Sequence, residues 1–520
     1  MNVLERRRSS LRVILALAMG ATLLVTLALA APAHAATFNV TSTLDAPDTN
    51  PGDGFCRTAV RRHPCTLRAA VMEANALAAL GTSTSNSINV PAGSYLLTLL
   101  GKGEDGAALG DLDVNGGALT VVGAFGGGTV IDGLHADRIF DVGPLTPTHF
   151  SLDSATLQNG RAESVPPNPS SSGPDVGGAI RILKNSALNV TQSVIRLNHA
   201  FSRGGGIGMP TSAGLPAGAD PAITTRITDT IFEHNTAGIE GGGLFNNRVA
   251  TLEQVIVRAN SVIATTGVER GAGIANSGPL TLIDVLVSGN SMASGSGGGI
   301  AVRGDPVALV FGSLSATNVT VSGNSAPNGG GIAIGNGASA TLLNTTISGN
   351  RANLAGGLVN LGTTTLTYVT LAENVAGAGG GIVTLGPPLG AATASTTLRS
   401  TVLKHGAMGS NCLPPPVPFP FARLPASGGD NISSDLSCGL TGPGDRNGID
   451  PLLGPLADNG GFTPTHALLL GSPAIDSVLN NACPPPATDQ RGVPRPQDGD
   501  GSGGARCDIG AYERGVHDPH

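Results

Sequence analysis

Between Gly177 and Leu385 the apolar positions recur in a unit of fixed form: a glycine cluster, an aliphatic residue, two short β-prone segments, then an asparagine. The aliphatic residues after the glycines are Ile180, Ile207, Leu244, Ile274, Ile300, Ile332, Leu358 and Ile382, spaced by 27, 37, 30, 26, 32, 26 and 24. The closing asparagines are Asn198, Asn235, Asn260, Asn290, Asn324, Asn350 and Asn374, with Asn159 as an earlier member. A spacing that shortens to a common minimum near 24 marks a repeat with loops inserted into some copies, which is the signature of a solenoid.

Alignment on the asparagine gives each column a role. Three residues before it stand Ile195, Phe232, Val257, Val287, Val321, Ile347 and Leu371, and eight before it Val190, Ile227, Leu252, Leu282, Ala316, Leu342 and Leu366. Both columns must face inward. Six before it the column is polar: Asp153, Gln192, Asp229, Gln254, Asp284, Asn318, Asn344 and Tyr368. Inward, polar corner, inward describes a strand, a bend and a strand. No copy holds an i, i+3, i+4, i+7 pattern, and Val, Ile and Thr dominate between glycines, so helices are excluded. Three short strands per turn, stacked at about 4.8 Å, predict an all-β, single-stranded right-handed parallel β-helix. The asparagines are expected to form an internal ladder that satisfies backbone groups where water cannot reach.

Composition agrees. Seventy-seven glycines, no tryptophan, 3% aromatic and 12% charged residues suit a narrow core of stacked aliphatic side chains rather than a compact globule. Residues 1–35 read as a secretory signal peptide: Arg6, Arg7, Arg8 and Arg12, an apolar run from Val13 to Ala31, then Ala33-His34-Ala35. The mature chain then carries 25 basic and 35 acidic residues, with no basic cluster and no transmembrane segment, which argues against nucleic acid as a partner. The expected location is extracellular or at the cell surface. An oxidising destination makes Cys56, Cys65, Cys412, Cys438, Cys483 and Cys507 readable as disulfides, with sequential pairing as the hypothesis among 15 connectivities.

Four segments follow: the signal peptide, an N-terminal cap region over 36–109, the β-helix over 110–410, and a distinct C-terminal region over 411–520. In the cap region, Thr66 is a candidate N-cap, and Leu67, Ala70, Val71, Ala74, Leu77 and Ala78 share one helical face. Such a helix covers the open apolar end of a solenoid. Loops interrupt the repeats at 161–176, 208–222, 261–270 and 303–312, the places where solenoids carry specific contacts.

Cys65-Thr66-Leu67-Arg68-Ala69-Ala70-Val71-Met72-Glu73-Ala74-Asn75 resembles the Cys-Ser-Leu-Arg-Glu-Ala (CSLREA) domain of exported bacterial surface proteins, with Thr66 for Ser and Ala69 for Glu. The stretches from Asp450 to Gly461, Thr463-Pro464-Thr465-His466, Gly471-Ser472-Pro473-Ala474-Ile475-Asp476, Thr488-Asp489-Gln490-Arg491-Gly492 and Cys507-Asp508-Ile509-Gly510-Ala511-Tyr512-Glu513 resemble the choice-of-anchor Q region. That resemblance implies a segment closing a β-helix, often ahead of a surface anchor. The sequence stops at His520 with no apolar tail or sorting motif, so simple secretion is the expectation. The Gly-Gly-Ile and Ser-Gly-Asn repeats are similar to the passengers of polymorphic outer-membrane proteins, without the alternating strands of a membrane barrel.

Parallel β-helices include pectate lyases and polygalacturonases, which need clustered carboxylates, and an Arg or Lys base in the lyases. The sequence has no Asp-Asp and no Arg-x-Lys, and 271–385 is almost free of carboxylates. The remaining catalytic candidates are Asp229 and Asp284, two coils apart, for which corner hydrogen bonding is the competing explanation. Asp498, Asp500 and Ser502 open a stretch similar to a calcium loop, with Ile509 at the twelfth position and Asp508 beside it. No motif requires a cofactor; Ca²⁺ is the candidate. The leading expectation is a non-enzymatic, adhesin-like scaffold that binds a polysaccharide or a surface protein. The alternatives are a polysaccharide lyase or glycoside hydrolase and a structural envelope component.

Overall fold

The computed structural model describes residues 35–163, 173, 175–183, 185–210, 224–263, 270–305, 310–386, 394–413, 421–479, 483 and 485–518. The expected signal peptide, save Ala35, and parts of the inserted loops lie outside the described residues. Among them no helix is long and apolar enough to cross a membrane.

The chain is a right-handed parallel β-helix with, among the described residues, one helix, α1 (Leu67–Ala79), beside its first coil. The glycine clusters feed an 11-stranded sheet that begins with Leu112–Val114, Phe140–Val142 and Ile180–Ile182; all its neighbours are parallel until Ala422–Arg423 joins antiparallel. A 23-stranded sheet carries the two segments before each asparagine, and a five-stranded sheet of two-residue strands follows the asparagines. Aliphatic residues from successive coils, among them Ile180, Ile195, Phe232, Val257 and Ile347, fill one continuous core.

The polar column lies at a left-handed bend: Gln192, Asp229, Gln254, Asp284, Asn318, Asn344 and Tyr368 all have φ between 45° and 57°. Glycine serves a different need one corner away. A side chain on Gly178 would meet the Gly205 carbonyl at 2.2 Å, one on Gly205 the Gly242 carbonyl at 2.4 Å, and one on Gly242 the Ala272 carbonyl at 2.4 Å. At Gly178, Gly205 and Gly242 the next coil lies too close for a Cβ.

Asn198, Asn235, Asn260, Asn290, Asn324, Asn350 and Asn374 form a buried ladder. From Asn198 to Asn350, each Nδ2 donates to the next Oδ1 at 2.9–3.0 Å, and each backbone N–H donates to that same oxygen. Each Nδ2 also donates to a carbonyl one coil back, such as Asn290 to Val257. Asn159 is not a member. It occupies the left-handed position one residue earlier, and Gly160 donates to Asn198 in its place. The Asn159 side chain donates to Asp132 instead, and the bend of that coil falls on Ser154 rather than Asp153.

The disulfides are Cys56–Cys65, Cys412–Cys438 and Cys483–Cys507. The second ties the last coils, whose final rungs are Ile432–Ser433 and Arg446–Asn447. The chain then turns back and lies along the flank of the solenoid. Its Pro464 carbonyl accepts from Thr320, Gln490 bridges Thr320 and Thr346, His466 bonds Ser348, and Ala511 N–H donates to Thr370. Tyr368, Val402 and Ile432, which face outward, are buried against Leu468, Ile475, Ile509 and Tyr512 in a second core.

Asn290→Ala removes an acceptor of two N–H groups and the partner of the Val257 carbonyl. At about 1–3 kcal/mol per buried unsatisfied group, it should destabilise by about 3 kcal/mol or more in guanidinium chloride unfolding. Asn189→Ala, on an exposed strand position, should stay within about 0.5 kcal/mol.

The flank has its own pH dependence. Burial lowers the His466 pKa from 6.5, opposed by the Gly454 carbonyl and Glu373, with Lys404 adding to the lowering. The contribution of the neutral ring is complete above the unfolded value and lost as pH falls below it, because the unfolded chain takes up a proton that the docked ring refuses. Denaturant midpoints should therefore drop between about pH 7.5 and about pH 5.5 more for the native chain than for His466→Asn.

Candidate functional site

Most outward positions of the glycine-side sheet are small or apolar. In register they run Asp113, Asp141, Arg181, Gly208, Phe245, Ala275, Ala301, Ala333, Val359 and Val383. Charge is confined to the first three rungs. There, Arg181 Nε donates to Asp141 Oδ1 at 3.0 Å, and its Nη2 pairs with Oδ2. Arg138, buried, donates through Nη1 to Asp111 Oδ2 at 2.8 Å, lies 3.5 Å from Asp141 Oδ2, and donates through Nε to the Gly177 carbonyl at 3.0 Å.

The segment 98–111 carries the other half of the site, and α1 holds it. Arg68 Nη1 and Nη2 donate to the carbonyls of Ala107, Gly110 and Asp111 at 2.9, 2.7 and 3.2 Å, while Nε pairs with Asp45 at 2.6 Å. Asp45 in turn accepts from the amides of Thr98 and Leu99, where the segment begins. Asn75 grips the first rung, donating to the Asp113 carbonyl at 2.7 Å and accepting from Asn115 N–H at 2.9 Å. Glu73 caps the amides of Gly52 and Gly54. The polar residues Arg68, Glu73 and Asn75 of the helix thus anchor the loops around the charged rungs.

A cavity of about 340 Å³ opens beside the rungs, lined by Lys102, Glu104, Asp105, Asp137, Glu163 and Arg181 among others. A second, of about 250 Å³, lies between Leu97, Leu99 and Asp137, so Asp137 borders both. Burial pushes Asp111 up to about 7 against the pull of Arg138. Burial and then the charge of Asp111 push Asp113 up to about 9. Asp137 is raised by burial and held back by Arg138. Shifted carboxyls beside guanidinium groups occur both in proton-exchange sites and in structural ion-pair networks.

The residues singled out from sequence lie elsewhere. Asp229 is exposed and Asp284 accepts from Asn318 Nδ2 at 3.1 Å; both are bend residues and neither lines the cleft. Asp498 and Asp500 converge with Asp476, their oxygens within 4.8 Å of one another. Backbone amides serve most of these oxygens, Gly503 to Asp498 Oδ2, Ser502 to Asp500, and Gly499, Asp500 and Arg506 to Asp476, while Asp498 Oδ1 has no hydrogen-bond partner among the described residues. Ser502 thus contributes an N–H donor to the turn, and Asp508 instead accepts from Asp476 N–H and Arg514 N–H. Sequence reasoning missed Asp113, Asp141 and Arg181. The signal was present: the column that follows Ile180 extends back to Phe140 and Leu112, and its next residues are Arg, Asp and Asp.

No protein-family model matches the sequence, and no curated protein does. Two solved structures are similar. One is the pectate lyase Pel9A, at 11% identity over 93% of this chain and 98% of that one, with a TM-score of 0.37. The other is the A-module of the Azotobacter vinelandii mannuronan C-5 epimerase AlgE4, at 15% identity over 66% and 95%, with a TM-score of 0.35. At these scores the likeness transfers no residue role to this chain.

Proposed function

We propose that this protein is an exported, polysaccharide-acting β-helix whose reaction centre is the charged cleft of the N-terminal coils. The observation that carries the reading is the Asp113, Asp141, Arg181 column, in register on consecutive rungs beside a cavity, on a face otherwise lined by Gly, Phe, Ala and Val. A solenoid face suits a polymer chain, since every rung adds about 4.8 Å of contact. In this reading Asp137, half-buried between the two cavities, exchanges a proton with the glycan. Lys102 and Arg181 at the rim offer positive charge to oxygens that become negative. Three disulfides and the leader-like N-terminus support export.

The test is size-exclusion chromatography of residues 36–520 incubated with neutral and uronate-rich polysaccharides, with and without Ca²⁺. Shortened chains are expected, and Asp137→Asn should slow cleavage by about 10²–10⁴-fold, the range for loss of a general acid or base. Intact polysaccharide that co-elutes with the protein would replace this reading with the adhesin-like scaffold. No effect on any polymer would leave a structural envelope role or a protein partner.

A further inference from the structure

Asp105, Asp113 and Asp141 come from three separate segments, the 98–111 loop and the first two rungs, yet one oxygen of each lies within 4.8 Å of the other two. Asp105 is exposed; the other two are buried. Asp113 is 0% exposed, and its two oxygens differ. Oδ2 accepts from the Ala107 amide at 2.9 Å, whereas Oδ1 has no hydrogen-bond partner among the described residues. A fully buried carboxylate oxygen without a donor is rare in a folded chain and calls for a partner that the protein itself does not supply.

We infer that Asp105, Asp113 and Asp141 form a site for a divalent cation of the Ca²⁺ type, which clips the 98–111 loop onto the first two rungs. All three ligands are carboxylate oxygens, with no histidine or cysteine in the set, which selects a hard cation. Oxygens bound to one Ca²⁺ at about 2.3–2.6 Å lie at most about 5 Å apart, and this set meets that limit. The exposed side at Asp105 leaves room for the water that fills the rest of a six- to eight-oxygen shell, as is usual for Ca²⁺. Arg181 already engages both oxygens of Asp141, so it shares that carboxylate with the cation and weakens its hold. The site stands independently of the glycan reading, because its test needs no polysaccharide.

The experiment is calorimetric titration of CaCl₂ into EDTA-treated residues 36–520, with Mg²⁺ as competitor, alongside tryptic cleavage after the exposed Lys102 with and without Ca²⁺. Asp105→Asn, on the exposed loop, and Asp113→Asn, an isostere that keeps an acceptor for Ala107, should each weaken Ca²⁺ by more than about tenfold. Both should abolish Ca²⁺ protection at Lys102. Arg181→Gln should tighten binding. An Asp498→Asn/Asp500→Asn variant, which disables the C-terminal turn, should leave this isotherm and the protection intact. The inference is overturned if native protein and both Asp105 and Asp113 variants give the same isotherm, or if all binding disappears in the Asp498/Asp500 variant. Because the Asp105 substitution is remote from the core, a folding failure of Asp113→Asn does not remove the test.

Discussion

A carbonyl or amide buried at the corner of a narrow solenoid has only the adjoining coil to turn to, because no water and no second layer of protein reaches it. The asparagine ladder resolves this by letting one side chain accept twice from the coil before it and donate twice, forward and back. Everything else about the fold is tuned to keep that register. The glycine stack lets the coils approach on one side, the left-handed bend turns the chain on another, and the aliphatic columns fill the interior between them. A slip of one residue would unseat every rung, as the single offset at Asn159 shows: its amide leaves the ladder altogether and finds Asp132.

The regular coils were legible in the sequence because each column is chemically uniform, so seven copies report the same environment. What departs from uniformity was hidden for that same reason. Leu112 and Phe140 belong to the column of Ile180, but Asp111 and Ile139 stand where the coils from Ile207 on have glycine, so the glycine-marked repeat begins after them. The charged rungs lie in that unlabelled stretch. Asp229 and Asp284 drew attention as carboxylates in a regular column, yet a bend at positive φ is itself a sufficient reason for a short polar side chain.

The N-terminal helix does more than cover an open end. Its apolar face closes the first coil, while Arg68 and Asn75 spend their hydrogen bonds on the segment and rung that carry the acidic residues. The helix and the charged cleft are therefore linked through particular atoms. A buried guanidinium with five oxygen partners ties the helix to the loop beside the charged rungs.

The sequence marked residues 411–520 as a distinct region expected to cap the end of the β-helix, but not their place along its flank, because those contacts join residues 118 to 170 positions apart and obey no period. Its placement also sets an order of events. The coils around Thr320, Thr346, Tyr368, Val402 and Ile432 are synthesised well before residues 463–512 that cover them. Until residues 463–512 are made, that side of the solenoid presents a tyrosine, a valine and an isoleucine to water, and only the docking of that segment seals them. The cover is thus a separate, later piece of the chain: a polypeptide cut between Ile432 and Leu468 would carry an unsealed apolar seam along its flank.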